Sequence, residues 1–297
     1  MLEALLDGFR RRDRQALARL VSLAARGEQT AVAATLPCPA KPSRVVAITG
    51  SPGVGKSTLI GQLIEHLRTK NLTVAVLACD PQSPISGGAL LGDRFRMAGA
   101  PDDGVFIRSL AVPGGRGAVA ERLDLMIRLV EAFGFDVIIV ETVGAGQGDT
   151  AVRDLTDVVV LLLQPESGDD LQWEKAGVLE VADVIAVHKA DLPGAEQTAD
   201  QVRATLDVVA HSPTPVLRLS SKTRCGIAEL WQAIEACPLR RGTAHSNHEL
   251  LGRLQEELAA RFTAAEETRQ PDWVTTLDDC KRGDPAALAR ALQMLAR

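Results

Sequence analysis

The 297-residue chain contains no apolar run approaching the ~20 residues of a membrane-spanning helix, so no membrane partner is expected. Its five cysteines, Cys38, Cys79, Cys225, Cys237 and Cys280, include no C-x-x-C pair, and its five histidines do not cluster with them. That absence argues against a disulfide framework and against a zinc site, and predicts thiols kept reduced in the cytoplasm. A basic excess is missing too. The 33 Lys and Arg against 38 Asp and Glu leave a net charge of −5, which does not favour nucleic acid as a partner. The first 30 residues lack the apolar h-region of a signal peptide, and Glu3, Asp7 and Asp13 do not suit a transit peptide. Low-complexity segments are also absent.

What is present is ordinary globular material, 46% hydrophobic and 24% charged, punctuated by one sharp motif. Residues 50–58 read Gly50-Ser51-Pro52-Gly53-Val54-Gly55-Lys56-Ser57-Thr58, which is G-x-x-x-x-G-K-[ST]. The apolar run Arg44-Val45-Val46-Ala47-Ile48-Thr49 before it reads as a buried strand, and Leu59 to Leu67 after it has helical spacing. Strand, glycine loop, helix is the setting in which backbone N–H groups turn inward around phosphate oxygens. The pattern assigns Gly53, Val54, Gly55, Lys56, Ser57 and Thr58 to a phosphate cradle, Lys56 to the β- and γ-phosphates, and the Ser57 hydroxyl to Mg²⁺.

Apolar strands then alternate with helices. Strands are expected at 44–49, 73–79, 104–108, 136–142, 157–163, 183–188 and 215–219, and helices at about 57–69, 117–133, 170–180, 195–209 and 226–236. Alternation of this kind predicts an α/β fold with three layers, a mostly parallel sheet covered by helices on both faces. Asp13 is placed to cap a helix through Ala16, Leu17, Leu20 and Val21, and Asp284-Pro285 starts a last helix. The expected divisions are an N-terminal helical extension at 1–42, a P-loop domain at 43–240 and a C-terminal helical arm at 241–297. In that arm Leu250, Leu254, Leu258 and Phe262 fall every four residues on one helix face, as in an ordinary core-facing helix.

Three further segments carry chemistry. The strand Asp136–Val140 runs into Glu141-Thr142-Val143-Gly144. A carboxylate at that tip suits Mg²⁺ or the attacking water, and Gly144 can bring its N–H to the γ-phosphate; a strand-end acid capping the next turn is the alternative. Strand 183–188 ends in His188-Lys189-Ala190-Asp191, where GTP-binding proteins carry N-K-x-D. The Asp191 carboxylate can accept from guanine N1–H and N2–H₂, donors that adenine lacks, while the Lys189 stem packs over the base. His188 stands where Asn is usual, and its ring can donate to guanine N7 or O6, or support the loop. Ser220-Ser221-Lys222 matches the S-A-K element whose backbone touches guanine O6. Asp80 and Asp93, read as loop acids at the carboxyl edge of the sheet, can both face the magnesium or simply serve their turns.

Together these segments resemble the MeaB/ArgK-type GTPases, the family of the human methylmalonic aciduria type A protein. The resemblance is carried by D-P-x-S-x-x-S-G-G-x-L-L-G-D-R-x-R-M at 80–97, E-T-V-G-x-G-Q at 141–147 and G-D-x-L-Q-x-x-K-x-G-x-x-E-x-A-D at 168–183. It implies a G-protein chaperone that uses GTP to gate cofactor loading, protection and reactivation of an adenosylcobalamin-dependent acyl-CoA mutase. It also implies a homodimer built by the C-terminal helices. Switch segments are implied at Asp80–Met97, Glu141–Asp149 and Gln164–Lys175, with Asp80, Asp93 and Glu141 organising Mg²⁺ and water. The implied site is therefore Lys56, Asp93, Glu141 and Gly144 for catalysis, and Ser57, Asp80, Asp93 and Glu141 for the metal. The guanine nucleotide (GTP or GDP) falls to the cradle with Lys189, Asp191, Ser220, Ser221 and Lys222. The chain departs from the family at Val112–Gly117, Asp124-Leu125, Asp170, Trp173-Glu174 and His188. Arg116 is a candidate charge donor to the phosphates or a solvated loop residue. A nickel- or zinc-insertion GTPase is the alternative reading, and would need a Cys/His site for which no ligand cluster is seen.

Overall fold

The central strands are continuous apolar runs because helices cover both of their faces. In the computed structural model the described residues are 2–25, 41–81, 103–112, 120, 122–143, 152–165, 176–209, 214–241, 258, 261–263, 265–266, 268, 271–282 and 285–295. The chain divides into two compact units, Met1–Arg241 and Gly242–Arg297.

The first unit is built on seven strands: β1 Arg44–Gly50, β2 Val74–Pro81, β3 Val105–Val112, β4 Val137–Glu141, β5 Val158–Leu163, β6 Val184–Val187 and β7 Val216–Arg218. They lie in the order β3-β2-β4-β1-β5-β6-β7, and every pairing is parallel. All seven expected strands are present. β2 and β3 run further than expected, because their register continues to Asp80↔Ala111 and Pro81↔Val112. Asp80 is therefore a strand residue, not the loop acid of the sequence reading.

Alternation sorts the strand side chains between two cores. Val46 and Ile48 join Leu59, Ile60, Leu63 and Leu67 of α3 (Lys56–Thr69) and Leu230, Trp231 and Ile234 of α8 (Ile227–Ala236). Val45 and Ala47 face the other way, onto Met126, Ile127 and Val130 of α4 (Leu123–Phe133). The N-terminal helices α1 (Leu2–Arg10) and α2 (Arg14–Ala25) extend this second core with Leu6, Phe9, Leu17, Leu20 and Val21. The Asp13 carboxylate accepts the Gln15 N–H at 2.8 Å, the cap that the sequence anticipates. Burying a leucine such as Leu20, which is 0% exposed, contributes about 2 kcal/mol. The remaining elements of this unit are α5 (Val152–Leu155), α6 (Ala176–Val181) and α7 (Ala195–Val209).

Loop polar groups at the start of the strands are held by aspartates. Asp157 accepts Val45 N–H at 2.9 Å and Arg241 N–H at 2.9 Å. Asp183 accepts Val159 N–H at 2.7 Å and a forked pair from Arg240 at 2.6 and 2.8 Å. Asp136 accepts the N–H and hydroxyl of Thr73 at 2.9 and 2.8 Å. Each of these acids sits one residue before its own strand and accepts from a residue near the start of a neighbour.

The second unit contains α9 (Pro271–Lys281) and α10 (Pro285–Leu295), with Trp273, Ala291 and Leu295 buried between them. α9 has no counterpart in the sequence reading. Phe262 meets Trp273 edge-on at 5.4 Å, while Leu250 and Leu254 lie outside the described residues.

Candidate functional site

β1 enters its loop through Gly50, at φ 144, where a Cβ would collide with the Leu162 carbonyl of β5. Only glycine turns the chain there. The loop then wraps back to deliver Gly55 as the N-cap of α3, which points its first amides at the space above the sheet. That space is a cavity of about 680 Å³ at the carboxyl ends of the strands, where open parallel sheets bind ligands.

One end of the cavity is the loop itself, with Gly53, Gly55, Lys56, Ser57 and Thr58 on its wall. Val54 turns its side chain into the core and is 1% exposed. The Lys56 ammonium curls over the loop and donates to the Gly50 and Ser51 carbonyls at 2.8 and 3.3 Å. The middle of the cavity is acidic. Glu141, at the tip of β4 and 4% exposed, accepts the Ser57 hydroxyl at 2.7 Å. Asp80, 5% exposed, lines the same stretch from β2, one strand away. Burial, with the charges of Asp80 and Glu141 added, pushes the Cys79 thiol up to about 12 against an opposing backbone hydrogen bond from Ala120. Two carboxylates thus focus negative potential on one small region. A hydroxyl and two carboxylates are hard oxygen donors suited to Mg²⁺.

The far end carries Lys189, Asp191, Leu192, Ser221 and Lys222. Ser220 lies behind this wall and donates its hydroxyl to Asp191 Oδ1 at 2.5 Å; Lys222 Nζ stands 3.8 Å from Oδ2. The Ser220 bond, reinforced by Lys222 against a smaller cost of burial, holds the Asp191 carboxyl below its ordinary value. Asp191 is therefore an ionised acceptor. Lys189 adopts a left-handed φ of 55 and donates to Gln164 Oε1 at 2.8 Å. His188, 3% exposed, has both ring nitrogens bonded to protein: Nδ1 to the Val54 carbonyl at 2.6 Å and Nε2 to Ser221 Oγ at 2.7 Å. Of its two expected uses, loop support is the one with partners.

Lys56, Ser57, Asp80, Glu141, Lys189, Asp191, Ser221 and Lys222 therefore share one cavity, with Ser220 buttressing it. Asp93, Gly144, Arg116, Gln147 and the greater part of the three switch segments lie outside the described residues. Among the described residues no group of three or more His, Cys, Asp or Glu could hold a metal ion, and no helix is long and apolar enough to cross a membrane. Two further residues take part, neither with a role assigned from the sequence. Gln62, two turns into α3, donates to the Ser221 carbonyl. Thr142 donates to Thr49 at 2.9 Å and ties β4 to β1 beside Glu141. Gln62 lies outside the apolar stripe of α3, a position that gives no signal of its own in the sequence.

Residues 17–266 match the family described as methylmalonyl Co-A mutase-associated GTPase MeaB. A Pyrococcus abyssi protein with a GTPase name is 40% identical over 245 residues, covering 79% of this chain and 75% of that one. The mouse mitochondrial methylmalonic aciduria type A homolog is 38% identical over 197 residues, covering 64% of this chain and 48% of its own length. Among solved structures, an LAO/AO transport system kinase superposes with a TM-score of 0.66 at 25% identity, over 100% of this chain and 98% of that one.

Proposed function

Because the chain belongs to the MeaB family of mutase-associated GTPases, we propose that its cavity binds GTP and Mg²⁺ and hydrolyses the nucleotide to GDP and phosphate. In this reading the nucleotide state gates cofactor loading, protection and reactivation of an adenosylcobalamin-dependent acyl-CoA mutase. Methylmalonyl-, isobutyryl- and 2-hydroxyisobutyryl-CoA mutases are the candidate clients. The observation that carries the nucleotide assignment is the pairing, in one cavity, of a P-loop lysine at one end with an ionised aspartate at the other.

The roles follow from the chemistry of the groups. The loop amides and Lys56 hold the phosphates, and the positive end of α3 supports the charge that builds up on them. Ser57, Asp80 and Glu141, with Asp93, would hold Mg²⁺, whose charge offsets that of the phosphates. Glu141, and Gly144 beyond it, are assigned to positioning water and the γ-phosphate. Asp191, kept charged and aimed by Ser220, accepts the two donors of guanine, and Ser221 and Lys222 border the base. The response of the switch segments implied at 80–97, 141–149 and 164–175 to the nucleotide would be what the client senses. Homodimerisation through the second unit belongs to the same reading, supported by the exposed apolar side chains of Leu258, Phe262, Val274, Leu288 and Leu292. Light scattering tests it.

The decisive experiment compares GDP with ADP by calorimetry and follows phosphate release with and without a candidate mutase. Binding confined to GDP, with unassisted turnover within a few tens-fold of ~10⁻⁴ to 10⁻² s⁻¹ and acceleration by the client, is expected. Equal affinity for ADP would remove the guanine assignment. A free rate above about 10 s⁻¹ would remove the switch.

A further inference from the structure

We propose that His188 is a positioning residue, a polar strut that holds the phosphate loop and the base-side loop at a fixed separation and thereby sets affinity for the guanine nucleotide. The inference rests on the nucleotide assignment above and adds to it the means by which the two ends of the cavity are kept in register.

The bonding pattern assigns the tautomer. The Val54 carbonyl can only accept, so Nδ1 carries the proton, and Nε2 is then a lone pair that receives the Ser221 hydroxyl. The neutral ring is thus a donor on one side and an acceptor on the other, each side facing a different loop. The circuit closes through α3, where Gln62 donates to the Ser221 carbonyl, so the helix fed by the phosphate loop also grips the base-side loop. His188 is itself fixed in the sheet. Its N–H donates to Leu163 at 2.8 Å, and the neighbouring Val187 and Ala190 bond to Leu219 at 2.9 and 3.0 Å. The ring lies against the loop backbone so closely that a Cβ on Gly55 would fall 2.5 Å from Cε1. A side chain with both nitrogens spent on protein has no hydrogen bond left for the base. Its influence on the ligand passes through Val54, Gly55 and Ser221.

The ring acts as strut only while neutral. A second proton would turn Nε2 into a donor and displace the Ser221 hydroxyl. It would also place a cation among Lys189 on its own segment, Lys56 at the head of α3 and Lys222 after β7, with Asp191 the opposing charge. Burial holds the ring below its ordinary value of 6.5; the Val54 bond and Asp191 oppose this, and Lys189 assists it. Because the folded value is depressed, the contribution of the strut is complete above pH 6.5 and is lost as pH falls through the depressed value.

The test is GDP calorimetry across about pH 5 to 7.5 on the full chain, with His188→Asn, His188→Leu and Ser221→Ala beside it. Leucine fills the volume without either bond, whereas a carboxamide restores one donor and one acceptor. His188→Leu should bind GDP roughly ten- to a hundredfold more weakly near neutral pH. His188→Asn should recover to within about threefold and lose the acid-side decline of the native chain. Native-like binding by His188→Leu overturns the strut, and so does an Asn variant as weak as the Leu variant. If His188→Leu does not fold, Ser221→Ala decides, because it keeps the ring and removes one bond; a severalfold loss supports the strut and unaltered affinity overturns it. Failure of the native chain to bind GDP sinks the cavity assignment itself, whereas native binding with indifferent variants sinks the strut alone.

Discussion

The two edges of the same sheet use the same residue types to opposite ends. At the amino edge, Asp136, Asp157 and Asp183 spend their oxygens on the Val45 and Val159 amides near the start of β1 and β5 and on Thr73, Arg240 and the Arg241 N–H. At the carboxyl edge, Asp80, Glu141 and Asp191 converge on a cavity large enough for a nucleotide. Strand direction makes the difference. Parallel strands deliver all their exits, and the helix start that follows β1, to one side, so ligand chemistry collects there and the other side is left to fasten strands together. An acid before a strand reads as a fastener, and an acid at the end of one reads as a candidate for chemistry.

Substitutions on the two edges should therefore separate activity from stability. The largest effect on function is expected for Lys56→Ala, at least about a hundredfold in GTP turnover with an unchanged melting midpoint, read by phosphate release and calorimetry. Turnover near that of the native chain would detach the cavity from the chemistry. Asp191→Asn comes next. It should weaken GDP roughly ten- to a hundredfold and shift preference towards xanthine nucleotides, whose base carries a carbonyl where guanine carries an amine. On the opposite edge, Asp157→Ala should cost about 2–4 kcal/mol of stability by stranding two backbone amides, one of them buried with β1, while GDP affinity in the folded protein stays near native. A large loss of affinity in that folded variant would blur the division between the edges. The smallest expected effect is Thr73→Val, about 1 kcal/mol. Burial works against the Asp136 carboxylate, but the Thr73 amide and hydroxyl, with Lys41, overcome it and hold the group below 3.8. Its stabilising contribution is thus present above that pH and fades as pH falls past it, and the Thr73→Val chain should show a smaller acid-side fade in denaturant titrations.

Much of this contrast was legible in the residues. Short continuous apolar runs located every strand, and the glycine loop located the cavity, because backbone geometry leaves few other uses for Gly50 and Gly55 in that setting. The lengthened β2 and β3 were not legible, since their last residues, including Asp80, owe their pairing to each other and not to local propensity. Nor were the fasteners Asp136, Asp157 and Asp183, whose partners lie tens of residues away in sequence. His188 departed from the guanine motif with base contact and loop support both open, and only its two bonds, 134 and 33 residues distant, single out the second. Helix α9 went unread because a stripe carried mainly by Trp273 and Thr276 does not announce itself as apolar.

β1 has a strand on each side and a core on each face. Its amides should accordingly exchange with deuterium only when the whole of the first unit opens. The glycine loop hangs from the last rung of that strand, so its footing cannot be loosened by a local fluctuation. Nucleotide captured there would delay exchange throughout residues 45–49 and in their partners on β4 and β5, a footprint far wider than the ligand itself.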